Sequence, residues 1–421
     1  MYKALLFLVL YLPFQLALNP VAGVDLASIR ILILGLFGAW LAQGLKNQQV
    51  KLNSSGQAFL VLAFLGLNFL SISVATNADW SARKLLFLFS IFPIYFVASQ
   101  LINSKQRFLE VVSGIVWSGT LAAFVGVVQF GAQFIYGVKA VFVFWSKFVI
   151  VPFLGNSFGE AVLKNPSWLV NISGQTYLRA TSFFPDPHMF SFYLGLVLPL
   201  AVGIIFYKQR RSWYIGAASI IFLADILTFS RGGYVGLLAG IIFTAIFFWH
   251  KVPKKYKISM GFVLGIGCVI LLFPSPISQR FLSSLDLKEG SNQGRLVMWK
   301  AAGEIILVHP ILGVGIGNYP LAVTSLATYR DPIYAHNTYL DIAVETGLPN
   351  MFIWVGLLGV SMFSFWKKTK QETLFFFALI SLLIFASHSL TETAIYSPVV
   401  LTLFLVILSF SQLKLNNEKT T

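Results

Sequence analysis

The sequence predicts an all-α polytopic membrane protein, with about twelve transmembrane helices and a large extracytoplasmic loop that contains amphipathic helices. Three observations carry this expectation. Of 421 residues, 57% are hydrophobic, only 11% are charged and 41 are Phe, and the mean hydropathy is +0.79. Apolar runs recur at about the 20 residues needed to cross roughly 30 Å of hydrocarbon. Clusters of Lys and Arg occupy alternate connections, as the orientation of membrane spans requires. A soluble core cannot hide this much apolar surface, so lipid must solvate it.

By that ruler the spans fall near 3–19, 25–45, 57–75, 83–101, 109–133, 187–207, 212–228, 232–249, 257–273, 348–366, 373–389 and 394–411. They form a single integral membrane domain over residues 1–421. Lys3 ahead of the first run resembles the start of a signal peptide, but multispanning proteins keep such a segment as an anchor. The net charge of +15 does not point to nucleic acid, because the basic residues sit in short connections between apolar spans. Lys46 and Lys51, Lys105 and Arg107, Lys208 to Arg211, Lys251 to Lys257, Lys367 to Lys370, and Lys414 with Lys419 share one side. The positive-inside bias makes that side cytoplasmic, together with both termini. The longer connections 134–186 and 274–347 are then extracytoplasmic. The one cysteine, Cys268, lies in an apolar span and permits no intrachain disulfide.

Polarity concentrates at three places. The segment 177-YLRATSFFPDPHMFSFYL-194 sets Arg179, Asp186 and His188 just before the sixth span. The segment 224-ADILTFSRGGYVGL-237 sets Asp225 and Arg231 between two apolar runs. An arginine there costs several kcal/mol unless it faces protein or a wet cavity. It either snorkels or pairs with Asp225, or it lines a pocket beside Gly232-Gly233. The third place is the loop 274–347. Within it, 294-GRLVMWKAAGEIILVHP-310 puts Arg295, Trp299, Ala302 and Ile306 on one helical face, a stripe suited to the membrane surface with Arg295 toward a phosphate. The glycines of 312-LGVGIGNYP-320 suit tight turning, with a backbone nest for phosphate as the alternative. In 330-RDPIYAHNTYLDIAVETGLPN-350, Asn337 is a good N-cap for a helix that ends at Gly347. His336 falls at that helix's start, and Asp341 and Glu345, four apart, share one of its faces.

The five histidines have no metal-ligand spacing, and no Gly-x-Ser-x-Gly elbow appears. No metal and no cofactor are expected. What remains is arginine plus histidine at the outer face. Arginine grips a diphosphate bidentately and histidine takes a proton from a hydroxyl, a combination suited to transfer from a lipid diphosphate to a sugar.

At this point the sequence resembles the O-antigen ligase and O-antigen polymerase superfamily of bacterial membrane glycosyltransferases. The resemblance rests on Ser230-Arg231-Gly232, on Arg295 and Trp299 before His309-Pro310-Ile311-Leu312-Gly313-Val314-Gly315, and on His336-Asn337-Thr338-Tyr339-Leu340 followed by Glu345 and Gly347. These blocks run in family order over roughly 215–365. Pro185-Asp186-Pro187-His188 also looks familial, with Pro-His where Pro-Asn is frequent. The resemblance implies a metal-independent, inverting transfer of glycan from undecaprenyl diphosphate on the periplasmic face of the bacterial inner membrane. Carried over by position, His336 would activate the acceptor hydroxyl, Arg231 and Arg295 would hold the diphosphate, and Arg179 is a further candidate for that anion. The acceptor would be lipid A–core for a ligase or another lipid-linked glycan for a polymerase. A lipid-linked glycan transporter or flippase is the rival from another class. It predicts ionisable residues near the bilayer midplane in two repeats, a pattern not evident here.

Overall fold

The structure is a computed structural model that describes residues 1–21, 24–48, 55–164, 167–207, 211–248, 276–283, 290–329 and 333–414. The expected ninth span, the basic segment 251–257, Cys268, Arg330 and Asp331 lie outside the described residues. Helices α1 (Tyr2–Tyr11), α2 (Ser28–Lys46), α3 (Gly56–Leu70), α4 (Ala78–Ile91), α5 (Pro93–Leu101) and α6 (Lys105–Tyr136) build the first half, with a hairpin of β1 (Ala17–Val21) and β2 (Val24–Ala27) between α1 and α2. Polar residues fix where these helices start. Ser55, Asn77 and Ser104 each accept a hydrogen bond from a first-turn N–H, supplying one of the partners that helix ends lack.

Residues 134–186, expected only as a long connection, are folded. They contain α7 (Val138–Phe144), α8 (Val151–Leu154), α9 (Asn156–Lys164) and an antiparallel hairpin of β3 (Leu169–Ile172) and β4 (Gln175–Leu178). Trp168, Val141, Ile150 and Leu178 form a small core of their own. The indole of Trp145 donates to the Ser182 carbonyl at 2.8 Å and that of Trp168 to the Pro185 carbonyl at 2.8 Å. Those bonds tie the unit to the chain that carries Arg179.

The second half comprises α10 (Pro187–Ile204), α11 (Arg211–Leu227), α12 (Arg231–Phe248), then α13 (Pro276–Leu282), α14 (Gly290–Val308), α15 (Tyr319–Val323) and α16 (Thr338–Thr346), and finally α17 (Leu348–Lys368), α18 (Leu374–His388) and α19 (Pro398–Ser409). Helix α10 is the central one, packed on α6, α11, α12 and α18 and buried along nearly its whole length.

Among the described residues six segments are long and apolar enough to cross a membrane: Ser28–Lys46, Gly56–Val74, Ala78–Leu101, Lys105–Tyr136, Pro187–Ile204 and Leu348–Lys368. Four further apolar helices are shorter. The protein is therefore an all-α membrane protein, with two short hairpins as the departure from pure helix. Its two ends differ. One gathers Tyr2 on Glu110 at 2.6 Å, Lys105 on Glu372 at 2.5 Å, and Tyr207 on the same Glu372. The other carries the long connections, and all the polar segments singled out above meet there.

Candidate functional site

At this loop end, α16 and the connection between α18 and α19 are clamped together. Asn337 caps α16 by accepting from the N–H groups of Tyr339 at 3.0 Å and Leu340 at 3.1 Å, and its amide donates to the Leu390 carbonyl at 3.0 Å. The Thr338 N–H reaches the Ser389 carbonyl at 2.9 Å and its hydroxyl the Glu392 carbonyl at 3.0 Å. Asp341 accepts from the Ala335 N–H at 2.7 Å and from the Thr393 hydroxyl. Burial pushes the Asp341 carboxyl up to about 6, against the lowering effect of those two donors.

His336 is held just before the cap, outside α16, with φ of +51°. A non-glycine residue in this left-handed region costs of order 1–3 kcal/mol and persists only where its surroundings over-determine it. The surroundings here are the clamp, and the conformation sets the imidazole Nδ1 at 2.9 Å from Glu392 Oε1. The other oxygen, Oε2, lies 3.7 Å from Arg295 Nη2 and 4.0 Å from His188 Nδ1. Glu392 is 3% exposed. A carboxylate so buried requires partners, and these cationic and imidazole groups supply them.

Arg295 arrives on α14. The stripe expected to lie along the membrane surface faces protein instead: Ala302 is buried with Tyr319, Ala335 and Val344, and Trp299 and Ile306 pack on the same cluster. The Trp299 indole donates to the Ala335 carbonyl at 2.9 Å, one residue before the histidine. Arg295 therefore points into the site. The glycine run follows α14 and turns tightly, with positive φ at Gly313, Gly315 and Gly317. A Cβ at Gly313 would lie 2.2 Å from the Val344 carbonyl oxygen, so close backbone approach to α16 explains that glycine.

A second polar layer underlies the first. His188, on the first turn of α10, has Nδ1 at 3.0 Å from Ser230 Oγ, and the same hydroxyl lies 3.3 Å from His388 Nε2. His388 stacks on Phe192 with ring centroids 3.6 Å apart. The Gly232-Gly233 pair lets α12 come this close: a Cβ would lie 2.5 Å from His388 Cδ2 at position 232 and 2.0 Å from Ser191 Oγ at 233. Asp225 turns to Ser191, whose hydroxyl donates to it at 2.6 Å.

The two remaining arginines bond to backbone carbonyls. Arg231 is 4% exposed and donates through Nη1 to the Ser283 carbonyl at 3.2 Å, linking α12 to the segment after α13. Arg179 donates through Nε to the Thr228 carbonyl at 2.7 Å, through Nη1 to that of Ser167 at 3.3 Å and through Nη2 to that of Phe229 at 3.4 Å. Burial, then the charge of Arg280, pulls the Arg179 guanidinium down to about 9, so it remains a cation at neutral pH. Two of these carbonyls, those of Thr228 and Phe229, belong to the turn that presents Ser230 and Arg231.

The structure thus brings His336 and Arg295 onto one carboxylate, sets His188 against that carboxylate and Arg179, and places Arg231 beside Ser230 at the layer below. Sequence reasoning missed Glu392 and His388. Both stand in 388-HSLTETAIYSP-398, between two apolar spans. The usable signal was the one applied to Arg231: an ionisable side chain at a span border is costly unless it has a partner.

Fold and site define a polytopic membrane protein with a buried histidine, carboxylate and arginine cluster at one end of its bundle. Residues 216–355 match the family model described as O-antigen ligase. The matched third of the chain holds Arg231, Arg295 and His336, and ends before Glu392. This match supports a likeness to the O-antigen ligase and polymerase superfamily. No curated protein matches the chain significantly.

Proposed function

We propose that the protein transfers a glycan from undecaprenyl diphosphate to a sugar hydroxyl on the periplasmic face of a bacterial inner membrane, with inversion and without a metal. The observation that carries this reading is Glu392 on Nδ1 of His336. A carboxylate accepting Nδ1–H fixes the tautomer and leaves the Nε2 lone pair for an incoming hydroxyl. The hydroxyl proton passes to Nε2 as its oxygen bonds to the anomeric carbon. The bond from that carbon to the diphosphate breaks, and the electron pair leaves with the diphosphate. Arg295 and Arg231 supply positive charge where that negative charge develops, the role for which a planar guanidinium fork is suited. Arg179 acts one step back, holding the 228–229 carbonyls that aim Ser230 and Arg231. With lipid A–core as acceptor the enzyme is a ligase; with a lipid-linked repeat unit it is a polymerase.

The test is a reconstituted assay with purified undecaprenyl-diphosphate-linked glycan, each acceptor in turn, and added chelator. A positioned base contributes about 10²–10⁴-fold, so His336→Ala should lose turnover by that factor with donor binding retained. Glu392→Gln should lower kcat by a smaller factor and leave the donor KM unchanged. Normal turnover of His336→Ala at matched protein levels would make the histidine structural and end this reading.

A further inference from the structure

A cavity of about 650 Å³ opens between α2, α4, the start of α10 and the outer segments. It is not the histidine cluster, but the two share a wall. Tyr334 lines the cavity, and its ring lies 4.3 Å from that of His336. Asp341 and Thr393, which flank Glu392 in the clamp, also line it. The Tyr334 ring is thus the part of the wall that adjoins the histidine.

The charges around the cavity are unevenly satisfied. Its carboxylates already have donors: Asp186 accepts from the His188 and Met189 N–H groups at 2.7 and 2.9 Å, and Asp341 from Ala335 and Thr393. Glu345 holds Lys84 at 2.7 Å and accepts from the Tyr396 hydroxyl at 2.7 Å. Two guanidiniums on the opposite wall are different. Arg30 donates to the Ser90 hydroxyl at 2.7 Å and lies over the Phe87 ring, and Arg83 lies over the Tyr329 ring at 5.4 Å. Among the described residues neither has a carboxylate partner. Phe87 and Tyr329, the two rings beneath these guanidiniums, line the same cavity. Both guanidiniums line the cavity, where an incoming carboxylate can accept charge-assisted hydrogen bonds from them.

We propose that this cavity is the acceptor subsite and that it takes a saccharide bearing carboxylate groups, gripped by Arg30 and Arg83 and walled by Tyr329 and Tyr334. The assignment rests on the glycan-transfer reading for its role, although the binding itself is independent of it. The donor diphosphate belongs to the other side of Tyr334, with Arg231 and Arg295.

The full chain in phosphatidylcholine nanodiscs, titrated by calorimetry, provides the test. The probes are a trigalacturonate, the same trisaccharide with its carboxylates reduced to alcohols, and inorganic pyrophosphate. Charge-assisted hydrogen bonds contribute about 1.5–3 kcal/mol, so the wild type should bind trigalacturonate at least about tenfold more tightly than the reduced sugar. The Arg30→Gln/Arg83→Gln double variant should lose that preference, and Arg30→Lys/Arg83→Lys should keep part of it. Arg83→Gln alone, at an exposed position, guards against misfolding of the double variant and should lose a share of the preference. Pyrophosphate binding should be insensitive to Arg30 and Arg83 and weakened by Arg231→Ala. Equal binding of the two sugars by the wild type overturns the proposal. Loss of pyrophosphate binding in the Arg30/Arg83 variant also overturns it, reassigning the cavity to the donor. Full turnover of His336→Ala alongside charge-dependent sugar binding would remove the transfer reading and leave the site standing.

Discussion

Arg179, Arg231 and Arg295 all look alike as lone cations near apolar runs, yet their surroundings separate them. Arg295 faces a carboxylate in the histidine cluster, whereas Arg179 is committed to the carbonyls of Thr228, Ser167 and Phe229. Arg295→Ala and Arg231→Ala should therefore abolish most glycan transfer while the protein stays in the membrane at normal levels. Lysine at either position should rescue partly, since an ammonium lacks the planar fork that grips a diphosphate. Wild-type turnover in either alanine variant would assign that arginine to anchoring. Arg179→Ala should instead lower the unfolding temperature, because it takes the guanidinium from the buried Thr228 carbonyl, worth about 1–3 kcal/mol of desolvation, while the Phe229 carbonyl keeps Arg280. At this scale the sequence made Arg295 and His336 legible, because both interrupt stretches where polarity is expensive. It hid Glu392, whose partners lie 56 and 97 residues away along the chain and meet it only through the clamp between α16 and the α18–α19 connection.

The element that positions the histidine is α16, and its two ends are independently testable. Gly347 ends the helix with φ of +88°, and a Cβ there would lie 1.9 Å from the Ile311 carbonyl oxygen. Gly347→Ala should destabilise the fold by about 1–3 kcal/mol or more, read as a drop in unfolding temperature and a loss of turnover together. The middle of the helix carries Asp341, whose carboxyl is raised from 3.8 to about 6 by burial. Thr393, the Ala335 N–H and Lys84 oppose the rise, and Glu345 adds to it. A folded value above the unfolded one means that the associated stability is present below about pH 4 and lost as pH rises through about 6. Asp341→Asn retains an acceptor for Ala335 and carries no charge, so it should flatten the dependence of unfolding temperature on pH between about 4 and 6. Asp186, also raised to about 6 by burial, should leave a residual slope; an unchanged slope would mean that Asp341 is not a titrating group there. The cap at Asn337, the stop at Gly347 and the existence of the α14 stripe were readable from spacing; that the stripe packs on protein rather than on the membrane surface was not, because its partners Tyr319, Ala335 and Val344 come from later segments. The hairpins and short helices of 134–186 were not, because their core is assembled around Trp145 and Trp168 from contacts distant in sequence.

Across the whole molecule, polarity is sorted by end. Among the described residues one end gathers Lys105, Arg107, Glu110 and Glu372, and the other carries the folded segments that hold His336, Glu392 and the cavity. The alternation of basic clusters was legible from the sequence because each apolar run reverses the chain; the number of spans was less so, since several helices are shorter than a 30 Å core asks. The sorting predicts sidedness. A charged, membrane-impermeant maleimide applied to right-side-out vesicles should modify a cysteine at position 336, whose imidazole is 33% exposed, in a Cys268→Ser background. The same reagent should reach a cysteine at position 254, within 251-KVPKKYK-257, only after the vesicles are opened. In the proposed transfer the acceptor glycan and the lipid-linked donor both reach His336, so its side decides which leaflet those substrates would occupy. Modification of position 336 only from the cytoplasmic side would place the site in the wrong compartment for surface-glycan assembly, however well its geometry suits the chemistry.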